Sequence, residues 1–213
     1  MANQLLDAGL GVVDLSASFR LPSALYEQHY GVHPCPSRIE AAVYGLPELH
    51  RESLRGARLI AGPGCFPTGV TLACMALYQA DLASDTPLIA DCKTGVTGAG
   101  ATPSSVTHFA QIADTVTPYK VDGHRHAPEI ANNLSHTFSV PVRFTPHLVP
   151  IRRGILSTCY VPIKPGVVGS DIDQAIDLFC AGEPFVHRLS QGQQPSLARV
   201  AGTNHVEIQS VFD

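Results

Sequence analysis

Three kinds of side chain in this sequence have the types and spacing to work on one substrate: a thiol, two imidazoles and a few charged groups beside glycine-rich turns. The thiol is Cys65, in Gly62-Pro63-Gly64-Cys65-Phe66-Pro67-Thr68. Gly-Pro-Gly punctuates a turn, and Pro67 suits the first turn of a helix, where a missing N–H costs nothing. A thiol at a helix start feels free backbone N–H groups and the positive end of the dipole. Both lower its pKa toward the nucleophilic thiolate. A buried core position is the other reading, because free cysteine commonly behaves as a small hydrophobe.

The imidazoles are His124 and His126, in His124-Arg125-His126-Ala127-Pro128-Glu129-Ile130. Pro128 predicts a helix start, with Glu129 in the acid-favouring first turn. An imidazolium is disfavoured at that end of a helix, so His126 is expected to stay neutral at pH 7 and able to accept a proton. Glu129 is placed to orient it. Metal binding is the rival use of an H-x-H pair. The sequence has no matching second cluster, and no metal is expected.

Two more stretches suit an anion. Ser16 and Arg20 bound a polar loop after a predicted strand, and open α/β sheets hold ligands outside such strand ends. The guanidinium fork matches a carboxylate or phosphate; a plain loop with a capping Ser is equally compatible. Thr94-Gly95-Val96-Thr97-Gly98-Ala99-Gly100 can turn backbone N–H groups toward an anion. Most such loops are only turns, and this one lacks the G-K-[ST] of a nucleotide fingerprint.

These groups need elements to carry them. Residues 1–9 read as a helix end and 10–15 as a strand. Residues 21–54 read as a long irregular passage, which is often functional. Leu59-Ile60-Ala61 is the short strand that delivers Cys65, and 68–82 is the helix after it. Strands are predicted at 87–93 and at 118–126, where His124 and His126 would share one face. A helix follows from 128 to about 136, then strands at 142–149 and 155–163. Ser170 is expected to cap a helix over 171–181, and 185–189, 197–201 and 205–212 alternate like strands.

Composition narrows the class. The chain has 213 residues, 45% hydrophobic and 15% charged, which describes a compact, turn-rich globular protein. A net charge of −4 without any Lys/Arg run argues against nucleic acid or an anionic membrane as partner. No apolar run approaches the roughly 18 residues of a membrane span, and Met1–Gly9 lacks the features of a signal peptide. Six cysteines without a CxxC fit reduced, cytoplasmic usage.

Taken together, the blocks V-D-L-S-A-S-F-R (13–20), A-V-Y-G-L-P-E (42–48), P-G-C-F-P-T (63–68), T-G-V-T-G-A-G (94–100), H-R-H-A-P-E-I (124–130) and F-T-P-H-L-V-P-I-R-R-G-I-L (144–156) resemble the N-acetyl-gamma-glutamyl-phosphate reductase family. They stand in family order and span most of the chain. The family's Gly-rich dinucleotide fingerprint and its later Gly-Ala-rich helix have no counterpart, so the chain is expected to be truncated at both ends. Phe66 stands where Tyr is common, and Ser18 where Asp is common.

The resemblance implies an α/β plus α+β fold. Residues 1–64 would be the C-terminal part of a Rossmann-type NADP-binding domain. Residues 65–213 would be a catalytic and dimerisation domain, incomplete at its C-terminus, with a largely antiparallel sheet and helices on one face. It implies NADP-dependent reduction of N-acetyl-gamma-glutamyl phosphate through a cysteine thioester, in arginine biosynthesis. Cys65 would be the nucleophile, His126 the first choice of acid/base and His124 the second, with Glu129 orienting. Ser16, Arg20, Thr94, Gly95, Thr97 and Gly98 would bind substrate. Gly98 and Gly100 would touch NADP, whose main site lies outside the chain. The implied partners are the small-molecule substrate, phosphate and a second copy, as a dimer or tetramer. Reduction of an aspartyl or aminoadipyl phosphate, a cysteine hydrolase and an inactive fragment stay open as alternatives.

Overall fold

The computed structural model describes residues 1–134 and 140–213. In chain order the elements are α1 (Ala2–Asp7), β1 (Val12–Asp14), α2 (Ser23–Tyr30), β2 (Ala42–Tyr44), α3 (Pro47–Leu54), β3 (Leu59–Ala61), α4 (Cys65–Gln79), β4 (Leu88–Thr94), α5 (Phe109–Ile112), β5 (Thr117–Pro118), α6 (Ala127–Leu134), β6 (Val142–Leu148), β7 (Ile155–Tyr160), α7 (Gly169–Cys180), β8 (Val186–Arg188), α8 (Leu197–Val200) and β9 (Val206–Ile208). Among these residues no helix is long and apolar enough to cross a membrane.

The first sheet is parallel throughout, in the order β1-β3-β2. Its central strand buries Leu59 and Ala61, the alternate positions of a three-residue strand. Parallel strands need covered crossovers, and these lie in the passage 21–54, which is not irregular. It holds α2, β2 and α3. Burial of Phe19, Leu21, Tyr26 and Leu46 orders it, and the Tyr26 ring stacks on Tyr30 with centroids 4.8 Å apart. That burial comes from tertiary contacts that local periodicity does not reveal.

The second sheet has the order β5-β6-β4-β7. Two of its three pairings are antiparallel, while β4 and β6 run parallel from Leu88↔Val142 to Thr94↔Leu148. Leu88, Ala90, Cys92 and Thr94 alternate onto the face covered by helices, as the pleat requires. Phe66, Val70 and Cys74 of α4 and Ile130 and Leu134 of α6 pack there with Phe144. The rear of α4 meets α7, β8 and β9 through Leu72, Ala76, Ile172, Ile176, Val186 and Ile208. On the sheet's other face Asp91 accepts from Lys93 at 2.8 Å and lies 3.2 Å from His147 Nδ1.

Several boundaries differ from the sequence reading. The predicted strand 118–126 shrinks to Thr117–Pro118; Lys120 then turns the chain at φ 46°, and the histidines leave the sheet. Residues 197–200 form helix α8, because Glu207 accepts from Ser196 N–H at 2.9 Å and pairs with Arg199. Asp171, not Ser170, caps α7, accepting from Val168 N–H at 3.0 Å. Helix α4 begins at Cys65, with Pro67 in its first turn as expected, and ends at Gln79 short of the predicted 82, and 205–212 keeps only β9 as strand. Positions 135 and 136 of the predicted helix lie outside the described residues.

Candidate active site

The site is built on the turn between β3 and α4. Gly62 N–H donates to Asp14 O at 2.8 Å, tying the turn to β1. Gly64 is the extended residue before the helix, and Thr68 closes the first turn onto its carbonyl through both N–H (3.0 Å) and Oγ1 (2.9 Å). Cys65 is therefore the first residue of α4. A Cβ on Gly64 would lie 2.9 Å from both Glu129 Oε2 and His126 Nε2. Only glycine lets the backbone under the thiol rest against the acid and the imidazole.

Glu129, 1% exposed, anchors this turn. Its Oε1 accepts from Gly64 N–H and from the Tyr44 hydroxyl, both at 2.8 Å. Asn133 Nδ2 donates to Tyr44 Oη at 2.8 Å and lies 3.2 Å from Thr71 Oγ1. The carboxylate thus holds the thiol turn and, among the described residues, has no hydrogen bond to the His124 or His126 ring, so its contacts position Gly64 instead of orienting His126 as expected. Arg20 serves the same frame. Its Nε donates to Gly62 O at 2.6 Å, Nη2 to Leu15 O at 2.8 Å, and Nη1 lies 3.4 Å from Glu129 Oε2. With its side chain 9% exposed, Arg20 is a clamp between the two turns and not an open anion site.

His124 and His126 sit together although no strand carries them. His126 N–H donates to His124 Nδ1 at 3.1 Å, and the ring centroids are 4.8 Å apart. Phe66 meets both rings edge-on, and Tyr119 and Phe144 flank His124. Burial in this aromatic nest lowers His124 to about 4 and His126 to about 3, with the positive Lys120 and Arg125 nearby adding to it. Both rings are neutral near pH 7. His126 Nε2 reaches the Gly64 backbone, while its Nδ1 is buried without a hydrogen-bond partner.

The thiol departs from the sequence reading. Backbone N–H groups of Phe66 and Cys65 and the Arg20 charge do lower its pKa, but burial is the largest effect, and Glu129 also raises it; the net shift is upward. Cys65 as a residue is nonetheless exposed. Its open side weakens the burial effect relative to Cys92, which burial pushes up to about 12.

Cys65 opens onto a cavity of about 640 Å³. Thr94, Gly95, Thr97 and Gly98 line it with the thiol, as do Ser157, Arg153 and the segment 195–209. His124, His126, Glu129 and Arg20 are not part of this lining. Ser16 and Gly100 belong to neither group: Ser16 bonds to the Asp14 carboxylate, and Gly100 faces open space at φ 93°.

The glycine loop is no anion nest. Gly95, Val96 and Thr97 N–H donate to the carbonyls of Gly154 (3.0 Å), Ile151 (2.9 Å) and Arg152 (3.1 Å), and Gly98 and Gly100 N–H bond within the loop. A Cβ on Gly95 would meet Arg153 N at 2.8 Å. The glycine serves close backbone approach, and the charge on this wall belongs to Arg153. The sequence alone gives Arg153 no role, although Arg152-Arg153-Gly154 lies within the stretch 144–156 that carries part of the family resemblance. Among the described residues no group of three or more His, Cys, Asp or Glu could hold a metal.

Residues 65–213 match the family described as "Semialdehyde dehydrogenase, dimerisation domain". The chain is 47% identical over 98% of its length to an N-acetyl-gamma-glutamyl-phosphate reductase of Syntrophobacter fumaroxidans, and 43% identical over 96% to one of Methanopyrus kandleri. It spans 61% and 60% of those proteins. Among solved structures it is similar to aspartate semialdehyde dehydrogenase from Francisella tularensis, with TM-score 0.69 and 15% identity, covering 97% of this chain and 67% of that one. The type II enzyme from Vibrio cholerae gives TM-score 0.69 and 19% identity, with 97% and 63% covered. At those identities the likeness is one of fold.

Proposed function

Since the chain belongs to the semialdehyde dehydrogenase dimerisation-domain family, we propose that it is the catalytic part of an N-acetyl-gamma-glutamyl-phosphate reductase, acting in cytoplasmic arginine biosynthesis. The observation that carries this reading is Cys65 as first residue of α4, on a turn pinned by Glu129 and open to the cavity. Cys65 sulfur attacks the acyl-phosphate carbonyl, the C–O bond to phosphate breaks, and a thioester forms. The neutral His126 ring takes the thiol proton as the sulfur attacks and passes it on to solvent; His124 is the second candidate. Backbone N–H groups of Cys65 and Phe66 favour the thiolate. NADPH, when bound, supplies the hydride that takes the thioester to the thiohemiacetal level. A proton drawn back from solvent through His126 neutralises the oxygen there, and collapse to the semialdehyde returns the thiol.

The cavity wall suits only one end of that cofactor. Ala73, Ile155, Leu156, Leu197 and Val200 offer an apolar surface, with Thr97 and Gly98 beside it, to a flat ring. A pyrophosphate wants free N–H groups, and those of residues 95–98 and Gly100 are engaged. We therefore assign residues 1–64, with their parallel sheet, to a dinucleotide-binding lobe, 65–213 to the catalytic and dimerisation lobe, and a homodimer to the working state.

The test is Cys65→Ser in a full-length enzyme. Phosphate-dependent oxidation of N-acetyl-glutamate 5-semialdehyde should vanish, since a hydroxyl is too weak an acid to replace the thiolate. Activity within a few-fold of the parent would remove Cys65 as nucleophile. Aspartate semialdehyde, run in parallel, separates this substrate from the one named in the structural neighbours.

A further inference from the structure

We propose that Arg153 binds an oxyanion of the substrate at the Cys65 cavity, as a substrate-binding residue of the proposed reductase; this rests on the reading of Cys65 as nucleophile. Arg153 is exposed, lines the cavity with Cys65, and has no ion pair or side-chain hydrogen bond among the described residues. The other charged lining residue, Glu207, is engaged. It accepts from Arg199 at 2.5 and 2.7 Å and from Ser196 N–H at 2.9 Å. His205, also in the lining, bonds to His187 at 2.7 Å. The cavity therefore carries one uncompensated charge, and it is positive.

Rival groups are already occupied. Arg20 holds two carbonyls and faces Glu129, Lys93 pairs with Asp91 on the opposite sheet face, and the glycine-loop N–H groups bond to carbonyls. Arg153 also stands on a fixed base. Three backbone hydrogen bonds join 95–97 to 151–154, and Gly95 lets the two strands of chain approach so closely that a Cβ would lie 2.8–2.9 Å from Arg152 and Arg153 backbone atoms. A guanidinium on a rigid base loses less freedom on binding a carboxylate or phosphate. The substrate offers both oxyanions, the acyl phosphate and the carboxylate.

The test titrates inorganic phosphate and, separately, N-acetyl-L-glutamate by calorimetry into the parent chain, Arg153→Lys and Arg153→Gln. Arg153→Gln should weaken one of the two by about 10- to 100-fold, the range for a hydrogen-bonded charge, and Arg153→Lys should lose less. Loss in the phosphate arm assigns the phosphoryl group, and loss in the N-acetylglutamate arm assigns the carboxylate. An unchanged thermal melt in Arg153→Gln shows that the fold is kept, as exposure of the residue predicts. Unchanged binding of both anions in that variant, or binding of neither by the parent, overturns the proposal. If Arg153→Gln loses anion binding while Cys65→Ser keeps turnover, the anion site stands and the thioester reading falls.

Discussion

Replacing Glu129 by Gln should produce two effects of opposite sign at Cys65. The side chain is 1% exposed, and its Oε1 holds Gly64 N–H and Tyr44 Oη at 2.8 Å while Oε2 faces Arg20 at 3.4 Å. Glutamine keeps the shape and one acceptor oxygen. Its amide then faces the guanidinium donor to donor, and the Arg20 charge loses its partner. Loss of a buried, charge-assisted contact of this kind costs about 1–3 kcal/mol. For a chain of this size that lowers the melting midpoint by roughly 2–12 °C. The carboxylate also raises the thiol's pKa, so removing its charge should make Cys65 more acidic. The assay is a pH profile of iodoacetamide alkylation at the Cys65 peptide, read by mass spectrometry, beside a thermal melt of the same sample. The parent midpoint should lie above the ordinary thiol range, and the variant's below the parent's. A variant midpoint that rises, or a melt that does not move, would refute the assigned geometry.

The histidines predict acid lability. Both titrate lower in the fold, at about 4 and about 3, than the reference near 6.5. Between those limits the unfolded chain binds more protons, so stability is complete above about pH 6.5 and falls as the pH drops toward 4 and 3. Denaturant melts across that window should show the slope, and His126→Asn should flatten it; equal slopes would argue against the buried neutral ring. Gly95→Ala places a methyl group 2.8–2.9 Å from backbone atoms of Arg152 and Arg153, which cannot rotate away. Overpacking of this kind costs about 1–3 kcal/mol, and anion binding should weaken with the shifted Arg153; an unchanged melt would show that the loops are not locked.

The strand–turn–helix around Cys65 was readable because its signals are local: an apolar Leu59–Ala61, Gly-Pro-Gly, and a long apolar run. The helix after His126 was readable from Pro128 and Glu129 for the same reason. What escaped the sequence are interactions between distant segments. Glu129 looks like an orienting acid beside His126, yet its partners are Tyr44 and Gly64, 85 and 65 residues away. The glycines of 94–100 suggest anion contact, and only the opposing backbone of 151–154 shows that Gly95 serves close approach. Thiol acidity failed likewise: the helix dipole can be inferred from order along the chain, whereas burial needs the fold. Leu197-Ala198-Arg199-Val200 is too short for either period to be decisive.

The contacts that fix the thiol turn join residues 65, 85 and 109 positions apart. Closing such long loops is entropically costly, and topologies rich in distant contacts fold slowly. Locally, Cys65 has the start of α4 and the Thr68 bonds to Gly64, which can form early. The buried carboxylate beneath it arrives only when α6 docks against α4 with Tyr44 in place. Contact order therefore predicts that the turn beneath Cys65 is fixed late in folding. On that expectation a folding chain presents the Cys65 thiol on a formed first turn before Glu129 locks the turn from below.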